Sequence, residues 1–130
     1  MSRYAIGLDF GTNSCRSLLV HAATGHELAS HVFPYPSGSD GVILDPSDPS
    51  LARQNPADYL LAIEATIKGA IGKAKSADPR FSPQDIIGIG VDTTGSSPMP
   101  VDASGKPLCF QGVRATWTAT SSKKIQLYGR

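Results

Sequence analysis

Cysteine is scarce in this chain: two residues, Cys15 and Cys109, among 130. That is too few for a disulfide framework, and the pair lacks the spacing of a zinc site. An excess of one charge sign is also missing, the formal net charge being +1. This removes the usual electrostatic footprint of a nucleic-acid or membrane-surface binder, so neither partner is expected. No apolar run approaches the roughly 18 residues of a membrane span, and nothing before Tyr4 reads as a signal peptide, so a cytoplasmic protein is expected. With 13 Gly, 10 Pro and 40% hydrophobic residues, collagen-like, coiled-coil and disordered readings are excluded. One globular α/β domain remains.

Acids are absent from the last nineteen residues. Residues 1–111 hold eight Lys and Arg against eleven acids, or −3, whereas 112–130 hold four basic residues and no acid, or +4. The basic end could serve a nucleic acid or phospholipid, but with little aromatic interleaving it reads as a solvated, poorly packed tail. The expected division is therefore 1–111 as the structured part and 112–130 as a divergent basic tail.

Upstream, strand and helix signals alternate. Tyr4–Asp9 is a short apolar strand running into the Gly11 turn. Cys15–His21 and Glu27–Phe33 flank Thr24-Gly25 as a hairpin. Residues 34–54, rich in Pro, Ser, Gly and Asp, read as a long surface loop. Asn55 caps a helix with Pro56 at its first position, and Leu60, Ile63, Ile67, Ala70, Ile71 and Ala74 predict its core-facing stripe until Asp78-Pro79 stops it. Gly69 and Gly72 each cost that helix about 1 kcal/mol relative to Ala. Ser82-Pro83 starts a single turn, Ile86–Asp92 is a fourth strand, and Pro98–Asp102 with Lys106–Leu108 predict a second small hairpin.

The first and fourth strands end alike, as Ile6-Gly7-Leu8-Asp9 and Ile89-Gly90-Val91-Asp92. Each places a carboxylate at the carboxyl end of an apolar strand, followed by glycine and small hydroxyl residues. In an open α/β sheet, that edge is where loops and backbone N–H groups converge on ligands. A carboxylate beside glycines and hydroxyls suits magnesium plus phosphate. The plain alternative, that both acids simply end strands and begin turns, carries more weight at Asp92 than at Asp9. The matched endings predict parallel neighbours joined through the helix, with both carboxylates at one edge. Without further strands beside it, Ile86–Asp92 is expected to leave an edge or face uncovered. The loop is not a P-loop, because no G-x-x-x-x-G-K-[ST] is present and a hairpin follows. K-G-A-I-G-K at 68–73 lies inside the helix, where amides are already bonded. His21, His26 and His31 do not converge if His21 faces Leu28 and His31 faces Leu18. Asp40, Asp45 and Asp48 lack EF-hand spacing, and Cys15 reads as a buried structural thiol.

D-F-G-T-N-S-C-R at Asp9–Arg16 resembles the first phosphate motif of the actin-like ATPase (ribonuclease H-like) superfold, and within it the FGGY carbohydrate kinases. The likeness continues through the hairpin, N-P-A-D-Y-L and I-G-I-G-V-D-T-T-G-S-S-P-M-P-V-D. The loop Y-P-S-G-S-D-G-V-I-L-D-P and V-D-T-T-G-S are most similar to the ribulokinase-like branch. The resemblance implies a partial actin-like domain, a mixed sheet with hairpin and crossover helix. It implies ATP and magnesium as cofactors and a sugar, L-ribulose or a related ketopentose, as substrate. Carried over by position, Asp9 would orient magnesium or its water, Gly11 would give close approach, and Thr12, Asn13, Ser14 and Arg16 would line the phosphates. Thr94, Gly95 and Ser96 match the place where the first domain meets the sugar.

The family is a two-domain clamp several times this length, whose catalytic aspartate and adenosine site come from later sequence. The expectation is therefore the amino-terminal portion of a kinase, truncated or frame-altered, without a catalytic residue of its own and inactive alone. An actin-like or chaperone-type ATPase module and a non-enzymatic remnant are the alternatives. Gly95-Ser96 before a Pro-rich hairpin favours sugar over the first.

Overall fold

A computed structural model describes residues 2–95 and 97–111 in full, and the backbone of the strand segments 116–118 and 124–126. Strands β1 (Tyr4–Phe10), β2 (Ser14–His21) and β3 (Glu27–Pro34) form an antiparallel meander. A short pair follows, β4 (Ile43–Asp45) with β5 (Asp48–Arg53). Helix α1 (Pro56–Ala77) leads through a 3-10 turn at Pro83–Asp85 to β6 (Ile86–Thr93), which lies parallel to β1. The main sheet has the order β3-β2-β1-β6. Its mixed character and the single helix match the expected α/β class. The basic tail contributes a separate antiparallel ladder, β7 (Thr116–Thr118) with β8 (Lys124–Gln126).

Alternation along β1 explains which face is buried. Tyr4, Ile6, Leu8 and Phe10 are all core residues, while Gly7 and Asp9 between them are exposed, as a period of two requires. Cys15, Ser17 and Leu19 of β2 join the same face and are fully buried. Tyr4 closes one end of this core edge-on to Phe81, with ring centroids 5.1 Å apart.

Helix α1 covers that face over β2 and β3. Asn55 Oδ1 accepts from the Ala57 N–H at 3.0 Å, Pro56 stands in the first turn, and the helix ends on an extended Asp78. The expected stripe needs correction. The buried line is Asp58, Ala62, Thr66, Ala70 and Ala74, each four residues from the next, with Ile63, Ile67 and Ile71 half-buried beside it and Leu60 64% exposed. Small residues on that line let the helix axis approach the sheet, and buried Ser17 Oγ donates to the Thr66 carbonyl at 2.7 Å. The larger isoleucines then flank the contact rather than centre it.

Close approach also explains Gly69. A Cβ there would stand 2.4 Å from Cγ of the His31 ring, whereas one at Gly72 would meet nothing within 4 Å. His31 pairs with Ser17 rather than Leu18, because the turn, where His21 N–H donates to the His26 carbonyl at 2.8 Å, sets a tighter register than expected, which an irregularity between Leu19 and Val20 shifts by one residue. No group of three or more His, Cys, Asp and Glu among the described residues could hold a metal ion.

The reading of 34–54 as a long surface loop is likewise corrected by the β4–β5 pair within it. The second expected hairpin shrinks to one bridge, Val101 with Pro107, closed by a turn in which Gly105 has φ +81°. Strand β6 sits at the sheet edge beyond the helix, and Ile87, Ile89 and Val91 are 59%, 57% and 63% exposed. The expected uncovered strand is thus present. No helix among the described residues is long and apolar enough to cross a membrane.

Candidate functional site: the loop and paired strand ends

The parallel register sets Asp9 directly beside Asp92, and the antiparallel register sets Asp9 beside Arg16. All three are exposed and lie on the face opposite α1, since they alternate with the buried residues. A row of acid, acid and base therefore crosses three strands at one sheet edge. Beneath it Gly7 pairs with Gly90 and Ala5 with Gly88, and a Cβ on any of these glycines would meet nothing within 4 Å. Apart from the Ala5 methyl, the strip approaching the two carboxylates is consequently bare backbone.

The loop that joins β1 to β2 turns back at once, Gly11 N–H donating to the Ser14 carbonyl at 2.9 Å. It is held from behind by residues 35–54. Tyr35 N–H donates to the Asn13 carbonyl at 2.9 Å, and Gln54 Nε2 donates to the Thr12 carbonyl at 2.6 Å. Asn13 Nδ2 donates outward to the Asp40 carbonyl at 2.6 Å, within a turn where Asp40 has φ +51° and Gly41 φ +81°. At Gly41 a Cβ would fall 2.7 Å from Tyr35 Cβ, so glycine lets the turn close on that ring.

Tyr35 is 4% exposed, and its hydroxyl has no hydrogen-bond partner among the described residues. Burial, reinforced by the nearby Cys15, pushes this phenol well above its ordinary range. Burial raises the Cys15 thiol too, with the Thr66 hydroxyl pulling the other way and Asp9 adding to the rise. Such a thiol is a packing residue, as the sequence suggested, and not an activated nucleophile.

Farther along, buried Asp58 accepts from Ser37 N–H at 3.1 Å and Ser37 Oγ at 2.9 Å, while Asn55 Nδ2 donates to the same hydroxyl at 2.9 Å. The helix start and the 35–42 segment are thus tied together beneath the site. On the β6 side, Thr94 N–H donates to the Phe10 carbonyl at 3.2 Å and brings Thr94 and exposed Gly95 next to the loop. Asp92 Oδ1 is occupied by the Thr93 N–H at 2.9 Å. Ser96 lies outside the described residues.

The structure gathers Asp9, Gly11, Thr12, Asn13, Ser14, Arg16 and Thr94 at one edge. Sequence reasoning missed Tyr35, Gln54 and Tyr59 behind them. For Gln54 and Tyr59 the only signal available was closeness to Asn55-Pro56, which marks a helix start and says nothing of a contact with residue 12; Tyr35 had none.

A short β-meander, a parallel fourth strand and a glycine-containing turn beside paired carboxylates define a mixed α/β unit with a polar edge. No family model matches the chain. Among curated proteins, the chain is similar to sugar kinases. The particular kinases are ribulokinases: 39% identity over 113 residues with that of Geobacillus thermodenitrificans, covering 84% of this chain and 19% of that protein. The ribulokinase of Shouchella clausii is 40% identical over 114 residues, 85% of this chain and 19% of that protein. That of Vibrio parahaemolyticus is 40% identical over 108 residues, 83% and 18% respectively. The expected ribulokinase-like character is therefore shown, and the chain spans about a fifth of the length of these relatives.

Proposed function

We propose that this chain is the phosphate-facing part of an ATP-dependent carbohydrate kinase with an actin-like fold, of the FGGY type, acting on L-ribulose or a related ketopentose. The observation that carries the reading is the side-by-side placement of Asp9 and Asp92 at the strand ends, next to a loop whose carbonyls are held from behind.

Phosphoryl transfer depends mainly on positioning and charge stabilisation. Arg16 supplies a cation one strand from Asp9, suited to phosphate oxygens. The hydroxyls of Thr12 and Ser14 are suited to donate to the same group, and Thr94 and Gly95, beside the end of β1, are the proposed sugar side, with Ser96 assigned to it by the family resemblance alone. Magnesium, when bound, neutralises phosphate charge. It is typically held through one or two carboxylates, waters and the substrate's own phosphates rather than by a full protein cage. The donor set fits that mode: Asp9 accepts no hydrogen bond from the described residues, and Asp92 keeps one oxygen free. Asp9 is the proposed ligand, directly or through water.

None of these residues is placed as a base for the sugar hydroxyl, so the 130 residues alone are expected to give no sugar-dependent ADP. Calorimetric titration of the chain with magnesium and tripolyphosphate tests the phosphate reading directly. Binding that requires magnesium and is lost in Asp9→Asn is the expected result; no binding to the wild-type chain overturns it.

A further inference from the structure

Both ends of the Gln54 side chain are engaged. Nε2 donates to the Thr12 carbonyl at 2.6 Å, and Oε1 accepts from Tyr59 Oη at 2.6 Å. A backbone carbonyl can only accept, so the end facing Thr12 must be the NH2 group, which leaves Oε1 for the tyrosine. Tyr59 is itself fixed, edge-on to Phe10 at 5.6 Å and to Tyr35 at 5.3 Å. Gln54 directly precedes the helix cap Asn55. The helix start, the aromatic trio and the loop thus form one linkage.

The peptide bonds are trans, so each carbonyl points opposite to the N–H of the following residue. Gln54 holds the Thr12 carbonyl inward and therefore turns the Asn13 N–H outward. Tyr35 N–H holds the Asn13 carbonyl on the β3 side, which fixes the other end of the same residue. The amides of Thr12 and Asn13 have no acceptor among the described residues. The Asn13 amide is thus both turned away from Gln54 and free to donate to an anion.

Resting on the phosphate-loop reading above, we infer that Gln54 is a positioning residue for that loop. Anchored by Tyr59, it presets the Thr12–Asn13 peptide so that the Asn13 amide faces an incoming phosphate before it arrives. Gln54 touches no reacting atom. Its effect is to remove the need for the loop to reorganise on binding.

The test uses the 130-residue chain and two readouts: 15N relaxation at the Asn13 amide, and affinity for magnesium tripolyphosphate. Gln54→Glu keeps the acceptor for Tyr59 but at pH 7 sets a carboxylate against the Thr12 carbonyl. Asn13 is expected to lose order, and affinity to fall about three- to tenfold, the usual range for one hydrogen bond. Acidifying through the ordinary glutamate range near pH ~4.3 restores an O–H donor and should restore Asn13 order, a recovery that a mere packing role would not give. Gln54→Met should show the loss without the recovery. If Gln54→Met unfolds the chain, Tyr59→Phe, which keeps the ring contacts, should still raise Asn13 disorder. Unchanged Asn13 relaxation in the folded variants overturns the inference. A wild-type chain that ignores tripolyphosphate, yet whose Asn13 responds to Gln54→Glu and recovers in acid, overturns the phosphate reading and keeps the positioning role.

Discussion

Asp9 and Asp92 are register partners on adjacent parallel strands, two like charges side by side at the sheet edge with Arg16 on the other flank of Asp9. Their surroundings differ, because Asp92 already accepts from the Thr93 N–H while Asp9 has no donor among the described residues. A cation shared with phosphate should therefore depend unequally on the two. We predict that Asp9→Asn weakens magnesium tripolyphosphate binding by about tenfold or more, the scale of a charge-assisted contact. Asp92→Asn should stay within about threefold. Equal losses in parallel titrations would mean that both carboxylates bind the metal.

The exposed residues Ile87, Ile89 and Val91 lie on a strand with one unpaired edge, and apolar edges recruit other chains. Sedimentation velocity should show concentration-dependent association. The double variant Ile89→Lys, Val91→Lys should move the chain toward monomer. A monomeric wild type with a sharp two-state thermal transition would contradict this expectation.

The two helix glycines should respond in opposite directions to the same substitution. Gly72→Ala adds a methyl to open space and should stabilise by about 0.5–1 kcal/mol. Gly69→Ala drives a Cβ to 2.4 Å from the root of the His31 ring and should destabilise by about 1–3 kcal/mol, the range for overpacking. Denaturant midpoints of the two variants decide the matter. Restoration of Gly69→Ala by His31→Ala would confirm the clash as its cause.

Asp102 organises the turn before a second 3-10 segment, Leu108–Gln111. Its Oδ1 accepts from Ser104 Oγ, Ser104 N–H and Lys106 N–H, and Gln111 Nε2 reaches Oδ2. The Ser104 hydroxyl, followed by the Lys106 amide, holds the carboxyl down at about 2 against an ordinary 3.8. A depressed folded value stabilises the turn above the unfolded pKa, and that contribution fades as pH falls from about 4 toward 2. NMR titration should find the midpoint near the lower limit, and Ser104→Ala should raise it.

Particular residues show how much of this was legible. The repeated I-G-x-D endings announced β1, β6 and their shared edge because an apolar run of that length has few other uses. Thr24-Gly25 and Asn55-Pro56 placed the hairpin and the helix start through local backbone chemistry. The β4–β5 pair stayed hidden behind Pro, Ser and Asp. There, Asp45 and Asp48 each bond the N–H and hydroxyl of the serine two residues on, and Arg53 reaches back to Asp45 at 3.5 Å. These are polar contacts, invisible to hydrophobic periodicity. Gln54 to Thr12 spans 42 residues, and nothing local encodes it.

The place of β6 also orders events in time. The β1–β3 meander closes through turns of a few residues, whereas β6 must find β1 from the far side of the helix, pairing Ile86 with Tyr4. Loop-closure entropy makes that distant pairing the late step. On a ribosome, residues 4–34 leave the exit tunnel first and can zip while the helix is still being made, so β1 waits with one flank open until its parallel neighbour is synthesised. Pulse-labelled hydrogen exchange should accordingly protect β2 amides before those of β6.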